Sequence, residues 1–375
     1  MKHKLWKVLF EEFFQEKKYS EFLEVILNLH PAPHRPPIEF SSQDAGLPKN
    51  ESIQNLTTLK FQADLAKDLE KIVWHFDQPF SDASMIPTYW IAREAKKHVS
   101  VVLNGDGGDE NFAGYDRYSR LEKWHQWKRI PVAFRKEMLR LLHQLTSGAS
   151  PYSLAFRARE FLKSSLSVDE MQGYFRHMIQ MDSLLRQELL NPEFTESQLD
   201  IPEAFLRHLF PRHSEMITAD SYQEGELLSY LPGDLLVKMD RATMAHGLEA
   251  RSPFLDHRMV EYCAKIPYHL KRKGNQGKLI LKNMLENRLP AEILNSKKRG
   301  FGLPVDRWFQ TDLKHWAKEI LFDMQTRKRG IFKQQTVERL WREHQEGHFH
   351  HGHRIFSLIC FELWCRQFLD DSHHA

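Results

Sequence analysis

Residues Asn104 to Glu110 read Asn-Gly-Asp-Gly-Gly-Asp-Glu and follow directly on the apolar run Val-Ser-Val-Val-Leu. Carboxylates alternating with glycines suit a hard, oxygen-seeking cation, because the glycines let the backbone turn sharply while the side chains converge. A calcium loop of the helix-loop-helix kind needs Gly at its sixth position and Glu at its twelfth. Counted from Asn104, those places hold Asp109 and Tyr115, so that reading fails. A phosphate-cradling Walker loop fails as well, since no Gly-Lys-Ser or Gly-Lys-Thr follows. Two readings remain: an acidic loop that holds magnesium against the phosphates of a nucleotide, or a turn with solvated carboxylates.

The elements around the loop favour a ligand site. Leu65, Leu69, Ile72, Val73 and Phe76 make one helical stripe. A second helix is predicted to open near Pro87 and close at the basic Lys96, Lys97 and His98. The β-branched run after it reads as a buried parallel strand that delivers the glycine-rich loop at its carboxyl end, where ligands bind in open α/β sheets. Beyond Tyr118 the pattern is helical: "PVAFRKEMLRLLHQL", "YSLAFRAREFL", "SVDEMQGYFRHM", "GDLLVKMDRATMAHGLEA" and the tail "HRIFSLICFELWCRQFL". Before residue 57, two short amphipathic helices within residues 1–30 precede a proline-rich linker from His30 to Ser52; after it, "TLKF" reads as a short strand ahead of the Leu65 stripe.

Composition narrows the class. At 375 residues with 41% hydrophobic positions, the chain can fill a sizeable core. Lys and Arg total 53 against 50 acidic residues, a net charge of +3, which points away from nucleic acid and toward small molecules. Three cysteines, Cys263, Cys360 and Cys365, make neither a disulfide framework nor a metal knuckle and imply a reducing compartment. No stretch of 18 apolar residues and no leader pattern occurs, so a soluble cytoplasmic protein without a membrane partner is expected. The tract His348 to Arg354, "HFHHGHR", has a metal-like composition, yet it abuts a helix start with no matching Cys or carboxylate cluster and reads as structural.

Four segments in order carry a family resemblance. "WHFDQPFSDASMIPTY", "NGDGGDENFAGYDRY", "LPGDLLVKMDRATMAHGLEARSPFLDHRMVEY" and "LPAEILNSKKRGFGLPVDRWF" are similar to signatures of the synthetase domain of glutamine-dependent asparagine synthetases. The resemblance runs from about Thr57 to Leu369. It implies an α/β, helix-dominated fold: a remnant of a parallel-sheet ATP-pyrophosphatase-type domain, followed by a large helical region. It implies ATP and Mg2+, and amidation of aspartate through a β-aspartyl-AMP. Asp106 and Asp109 match the acidic positions that face the metal and pyrophosphate. Gly105 and Gly107 match positions where backbone approaches the nucleotide, Lys298 a lysine that neutralises the departing phosphates, and Tyr115 an aromatic near the reacting centre. Glu110 as a helix cap and an Arg251–Asp256 ion pair are expected to be structural.

Parts of the family pattern do not appear. The glutaminase nucleophile is an N-terminal cysteine, whereas Lys2 follows Met1 and the first cysteine is Cys263. The family's Ser-Gly-Gly-x-Asp-Ser loop, expected before Thr57, has no counterpart. Asn104 stands where Ser is usual and Gln78 where Glu is usual. The expected organisation is therefore an N-terminal region, 1–56, of divergent helices and linker, and a partial synthetase-like domain, 57–370, in need of a separate polypeptide to supply the ATP loop and the glutaminase. The alternatives are a non-catalytic nucleotide- or partner-binding protein, or half of a split amidotransferase acting on another carboxylate.

Overall fold

The computed structural model describes residues 65–119, 129–145, 178–194, 219–286, 289–295 and 303–370 except 348, with isolated positions between. The expected N-terminal helices, the linker, the "TLKF" strand, Lys298, and most of "YSLAFRAREFL" and "SVDEMQGYFRHM" lie outside the described residues. The chain divides into two compact units, Met1–Phe61 with Leu281–Lys298, and Gln62–Ile280 with Arg299–Ala375. In the first unit the described residues form the end of one helix and a second, Ala291–Leu294, opened by Pro290.

Helices α1 (Leu65–Phe76) and α2 (Met85–Lys96) lead into strand β1 (Val101–Leu103) and the short helix α3 (Gly108–Asn111). Helices α4 (Ala219–Leu228) and α5 (Leu236–Met244), joined through a π-helical turn at Leu231–Leu235, precede strand β2 (Glu249–Arg251) and helix α6 (His257–Lys265). The C-terminal part is helical: α7 (Val305–Gln310), α8 (Lys314–Phe322), α9 (Gln334–Gln345) and α10 (Gly352–Cys365). This is a helix-dominated α/β fold, as the sequence led one to expect. Among the described residues no helix is long and apolar enough to cross a membrane.

The α1 stripe is buried as its spacing requires, with Leu69, Ile72, Val73 and Phe76 packed against Met85, Ile86 and Tyr89 of α2. Phe309, Ala317, Val337, Ile355, Ile359 and Leu363 complete the same core from the C-terminal helices. Ile359 is fully enclosed, and truncating such a residue to Ala costs ~2–5 kcal/mol. We expect Ile359→Ala to lower the unfolding free energy by that amount, seen as a lower urea midpoint with an unchanged slope. The three cysteines are buried and free.

β1 is a parallel strand, paired with β2 in the register Val101↔Glu249, Val102↔Ala250 and Leu103↔Arg251. It is not the buried strand its composition suggests. Val101 and Leu103 are 42% and 41% exposed, because the described sheet has two strands and, among the described residues, no layer covers these alternate positions of β1. Arg251 and Asp256 do not form the expected pair with one another: Arg251 reaches Glu249 at 2.7 Å, while Asp256 accepts the Arg258 backbone N–H at the start of α6 and its guanidinium at 3.1 Å.

Candidate active site

The two parallel strands end side by side, and the chain beyond each is tied to the other. Past β1, the Asn104 N–H donates to the Arg251 carbonyl at 2.9 Å. The Asn111 amide donates to the Phe254 carbonyl at 2.7 Å. Gly107 adopts φ +84°, and a Cβ there would also collide with Leu255, so the turn requires glycine on both counts. Gly105 is different: a Cβ there would meet nothing, so its backbone faces open space where a ligand can approach.

The turn brings Asp106 and Asp109 to one end of the sheet. Asn104 positions the first of these, its amide donating to Asp106 Oδ2 at 3.0 Å while its own oxygen accepts from the Ser252 hydroxyl at 2.5 Å. Burial pushes the Asp106 carboxyl up; Lys238 pulls it down, and the neighbouring Glu110 and Asp109 push it further up. A carboxylate in that setting is short of positive charge.

Lys278 supplies the counter-charge for Asp109, its Nζ lying 3.1 Å from Asp109 Oδ1. The lysine sits at φ +55° and Ala113 at φ +51°, both in the left-handed region that non-glycine residues rarely adopt. Their conformations are held by hydrogen bonds from the Lys278 N–H to the Phe112 carbonyl and from Arg272 Nη1 to the carbonyls of Ala113 and Tyr115, each at 2.9 Å. Strain maintained in this way marks functional sites. Gly114 lies against the pair, and a Cβ there would collide with Asp109 Oδ1 and Lys278 Cε. Overpacking of this kind costs ~1–3 kcal/mol. Gly114→Ala is expected to lower the melting temperature and to separate the two charges, which a thermal melt and a crystal structure of the variant would record.

Glu110 does not cap a helix. It is buried inside α3 and accepts the Tyr115 hydroxyl, while Gln223 donates to its backbone carbonyl at 2.7 Å. Behind Tyr115 the Arg117 guanidinium, itself partly exposed, and the Tyr118 hydroxyl both bond the fully buried Glu226 of α4. Burial pushes the Glu226 carboxyl up, and Arg117 and Tyr118 work against that shift. The Arg117 guanidinium stacks over two rings, 3.9 Å from the centre of Tyr115 and 4.6 Å from that of Tyr230.

Asp82, from the loop before α2, binds Lys238 of α5 at 2.7 Å and accepts from the Ser84 N–H and hydroxyl at 2.9 and 2.6 Å. Burial works against its charge, yet Lys238 and Ser84 outweigh it and hold the carboxyl below its usual range. Lys238 also reaches the Ser84 hydroxyl at 2.8 Å.

The structure thus gathers Gly105, Asp106, Gly107, Asp109 and Tyr115 at one place, and adds residues the sequence reading passed over: Lys278, Asp82, Lys238, Asp234, Arg117 and Glu226. The pair Gly277-Lys278 was open to notice as a glycine-lysine dipeptide; Asp82, Arg117, Asp234 and Lys238 lie within the quoted segments, whereas Glu226 carries no local signature. Among the described residues no group of three or more His, Cys, Asp or Glu is arranged to hold a metal by itself. Magnesium asks for less, since one or two carboxylates together with substrate phosphates hold it, and Asp106 and Asp109 can provide these. In the histidine-rich tract, His351 Nε2 lies 2.7 Å from Glu343, and His344 of α9, just before the tract, has its Nε2 3.0 Å from the Asp306 carbonyl; these contacts join α7, α9 and the start of α10.

The candidate site is thus a glycine-rich acidic turn at the carboxyl end of a parallel strand, the place where ligands bind in open α/β sheets, with Lys278 3.1 Å from Asp109. The family model described as asparagine synthase matches residues 54–366, and the chain belongs to that family. It is 30% identical over 315 residues to asparagine synthetase (glutamine-hydrolyzing) 1 of Bacillus subtilis, covering 83% of this chain and 47% of that protein. It is 27% identical over 264 residues to asparagine synthetase (glutamine-hydrolyzing) 3 of the same organism, covering 69% and 35% respectively. The amidase chyE of Penicillium rubens is 27% identical over 269 residues, covering 65% of this chain and 38% of that protein. The chain spans about half the length, or less, of these relatives.

Proposed function

We infer that this chain contributes the acyl-activating site of an ATP-dependent amidation of aspartate, completed by a phosphate-cradling loop and a source of ammonia that these residues do not include. The observation that carries this reading is the Lys278–Asp109 pair at the carboxyl end of β1, beside the open backbone of Gly105. Asp106 and Asp109 would hold Mg2+, which when bound neutralises the nucleotide phosphates and polarises them. Lys278 is placed to take up negative charge that develops as pyrophosphate leaves. Lys298 keeps the same role through the family resemblance alone.

In the reaction, a substrate carboxylate oxygen attacks the α-phosphorus and pyrophosphate departs. Ammonia then attacks the acyl carbon, AMP leaves, and the added nitrogen gives up a proton. The Tyr115 ring borders this region and keeps its hydroxyl protonated: burial and the Glu110 carboxylate both push it up. It therefore serves as a wall and a hydrogen-bond donor rather than a base.

The sequence has no Ser-Gly-Gly-x-Asp-Ser run, whose backbone amides would cradle pyrophosphate. Charge-assisted hydrogen bonds are worth ~1.5–3 kcal/mol each, so the chain alone is expected to release no pyrophosphate from ATP and aspartate. Adding a fragment that carries the loop should produce magnesium- and aspartate-dependent pyrophosphate release. Release by the chain alone, or none after addition of the loop, would contradict the reading; the second outcome would favour a non-catalytic binding protein. Release with a different acid in place of aspartate would make this half of an amidotransferase for another carboxylate.

A further inference from the structure

Two histidines that the proposed function leaves unused hold the start of α10 against α7 and α9, and both do so as neutral rings. His344 of α9 is fully buried. Its Nδ1 lies 3.2 Å from the His351 backbone nitrogen and its Nε2 3.0 Å from the Asp306 carbonyl of α7. A backbone N–H only donates and a carbonyl only accepts, so the ring carries its proton on Nε2 and accepts at Nδ1. His351 is fixed in the same tautomer. Its Nδ1 is 2.9 Å from Arg354 Nη1, which only donates, and its Nε2 2.7 Å from the Glu343 carboxylate, which accepts.

A second proton therefore has one place to go on each ring, and a donor already points there. On His344 it would meet the His351 N–H; on His351 it would meet the Arg354 guanidinium. Both of those donors belong to the start of α10. The tie between α7 and α9 does not depend on them, since the Gln310 amide donates to the His344 carbonyl at 2.8 Å and the Gln345 amide to the Phe309 carbonyl at 2.9 Å. The junction of α10 with α7 is close: the Gly352 N–H donates to Asp306 Oδ1 at 2.9 Å, and a Cβ on Gly352 would collide with the Asp306 backbone.

The charges around the two rings come from every element of the junction. Asp306 of α7 and the ring of His350 face His344; Glu343 of α9, Arg354 of α10 and His344 itself face His351. Arg339 lies 3.4 Å from Glu343, and His350 Nδ1 3.8 Å from Asp306 Oδ2. Burial outweighs the pull of the two carboxylates and holds both rings below the usual histidine range, with His350 adding to the effect on His344 and Arg354 to that on His351.

We propose that His344 and His351 form an acid-operated latch, in which uptake of a proton at Nδ1 of either ring breaks its bond to the start of α10 and frees that end of the helix from α7 and α9. Opening uncovers Ile355 and Phe356, which the closed junction keeps in the core. A ring held neutral in the closed form contributes stability that is complete above about pH 6.5 and is lost as the pH falls below it. The latch is independent of the reaction proposed above.

Hydrogen–deuterium exchange of the full chain tests it at the His351 and Gly352 amides, with each rate corrected for the intrinsic pH dependence of exchange. Between pH 7.5 and 5.5 a ring that titrates at its ordinary value once open raises the opening constant up to roughly 10-fold, and the two rings together about 100-fold. His344→Asn keeps an acceptor for the His351 N–H and takes up no proton; His351→Gln keeps a donor toward Glu343. Each is expected to reduce the response to about 10-fold, and the double variant to abolish it. Each protein is compared with itself at two pH values, so a variant's lower overall stability does not enter. His350→Gln is expected to keep the full response, because both ring nitrogens of His350 are buried with no hydrogen-bond partner among the described residues. Nitrogen-15 resonances of the wild-type rings at pH 7.5 should show the proton on Nε2 of both, a result that needs no variant. Opening that is independent of pH in the wild type, a response that persists in the double variant or disappears in His350→Gln, or an Nδ1 proton on either ring at pH 7.5 overturns the proposal and leaves the two histidines as fixed packing groups.

Discussion

In a mixture supplied with the missing loop, Lys278→Ala is expected to slow pyrophosphate release by ~10²–10³-fold, the usual loss when one group aimed at developing charge is removed. Asp109→Ala should cost a similar factor. The two side chains touch at 3.1 Å, so the double variant should lose little more than either single one. Lys298→Ala belongs in the same series. A loss confined to Lys298 would return the role to the residue that the resemblance indicates and would reduce Lys278 to a structural partner of Asp109. A loss confined to Lys278 would show that position in the fold, rather than likeness of motif, identifies the phosphate lysine.

Glu226→Ala is expected to destabilise the fold by ~3–5 kcal/mol, because it leaves Arg117 as an uncompensated buried charge and takes the acceptor from the Tyr118 hydroxyl. Glu226→Gln keeps an acceptor for Tyr118 and removes only the charge, so it should cost less. Urea unfolding followed by fluorescence would separate the two. Equal, small effects would mean that the Arg117 guanidinium is held by the Tyr115 and Tyr230 rings rather than by its carboxylate. The same stack explains the local order of the site: Arg117 joins the loop after α3 to the turn before α5 through two aromatic faces and one ion pair.

Local pattern reveals what local physics decides. The stripe from Leu65 to Phe76 identifies a helix and its buried face because both follow from residues within three turns of each other. The β-branched run identifies β1, and the glycines identify the turn at Gly107, where φ is +84°. What covers β1 is a tertiary matter, and its exposed Val101 and Leu103 contradict the buried strand that composition alone suggests. β2 escaped notice because Glu-Ala-Arg is three residues long and charged at both ends, although Gly247, at φ +65°, ends the helical segment before it. The site divides in the same way. Asp106 and Asp109 stand in one loop, whereas Asp82 meets Lys238 across 156 positions and Arg117 meets Glu226 across 109, pairings that no local spacing encodes.

Electron spin resonance with Mn2+ and ATP, added to the loop-supplied chain, addresses most directly whether the Asn104–Glu110 turn is a metal–nucleotide site. Asp106 and Asp109 are the two carboxylates offered to the cation, and Mn2+ accepts the same oxygen ligands as Mg2+. The wild-type chain is predicted to bind the Mn2+ that accompanies ATP, and the Asp106→Asn, Asp109→Asn double variant to leave it free. Equal Mn2+ binding by both proteins would contradict the account and make the turn a structural one with solvated carboxylates.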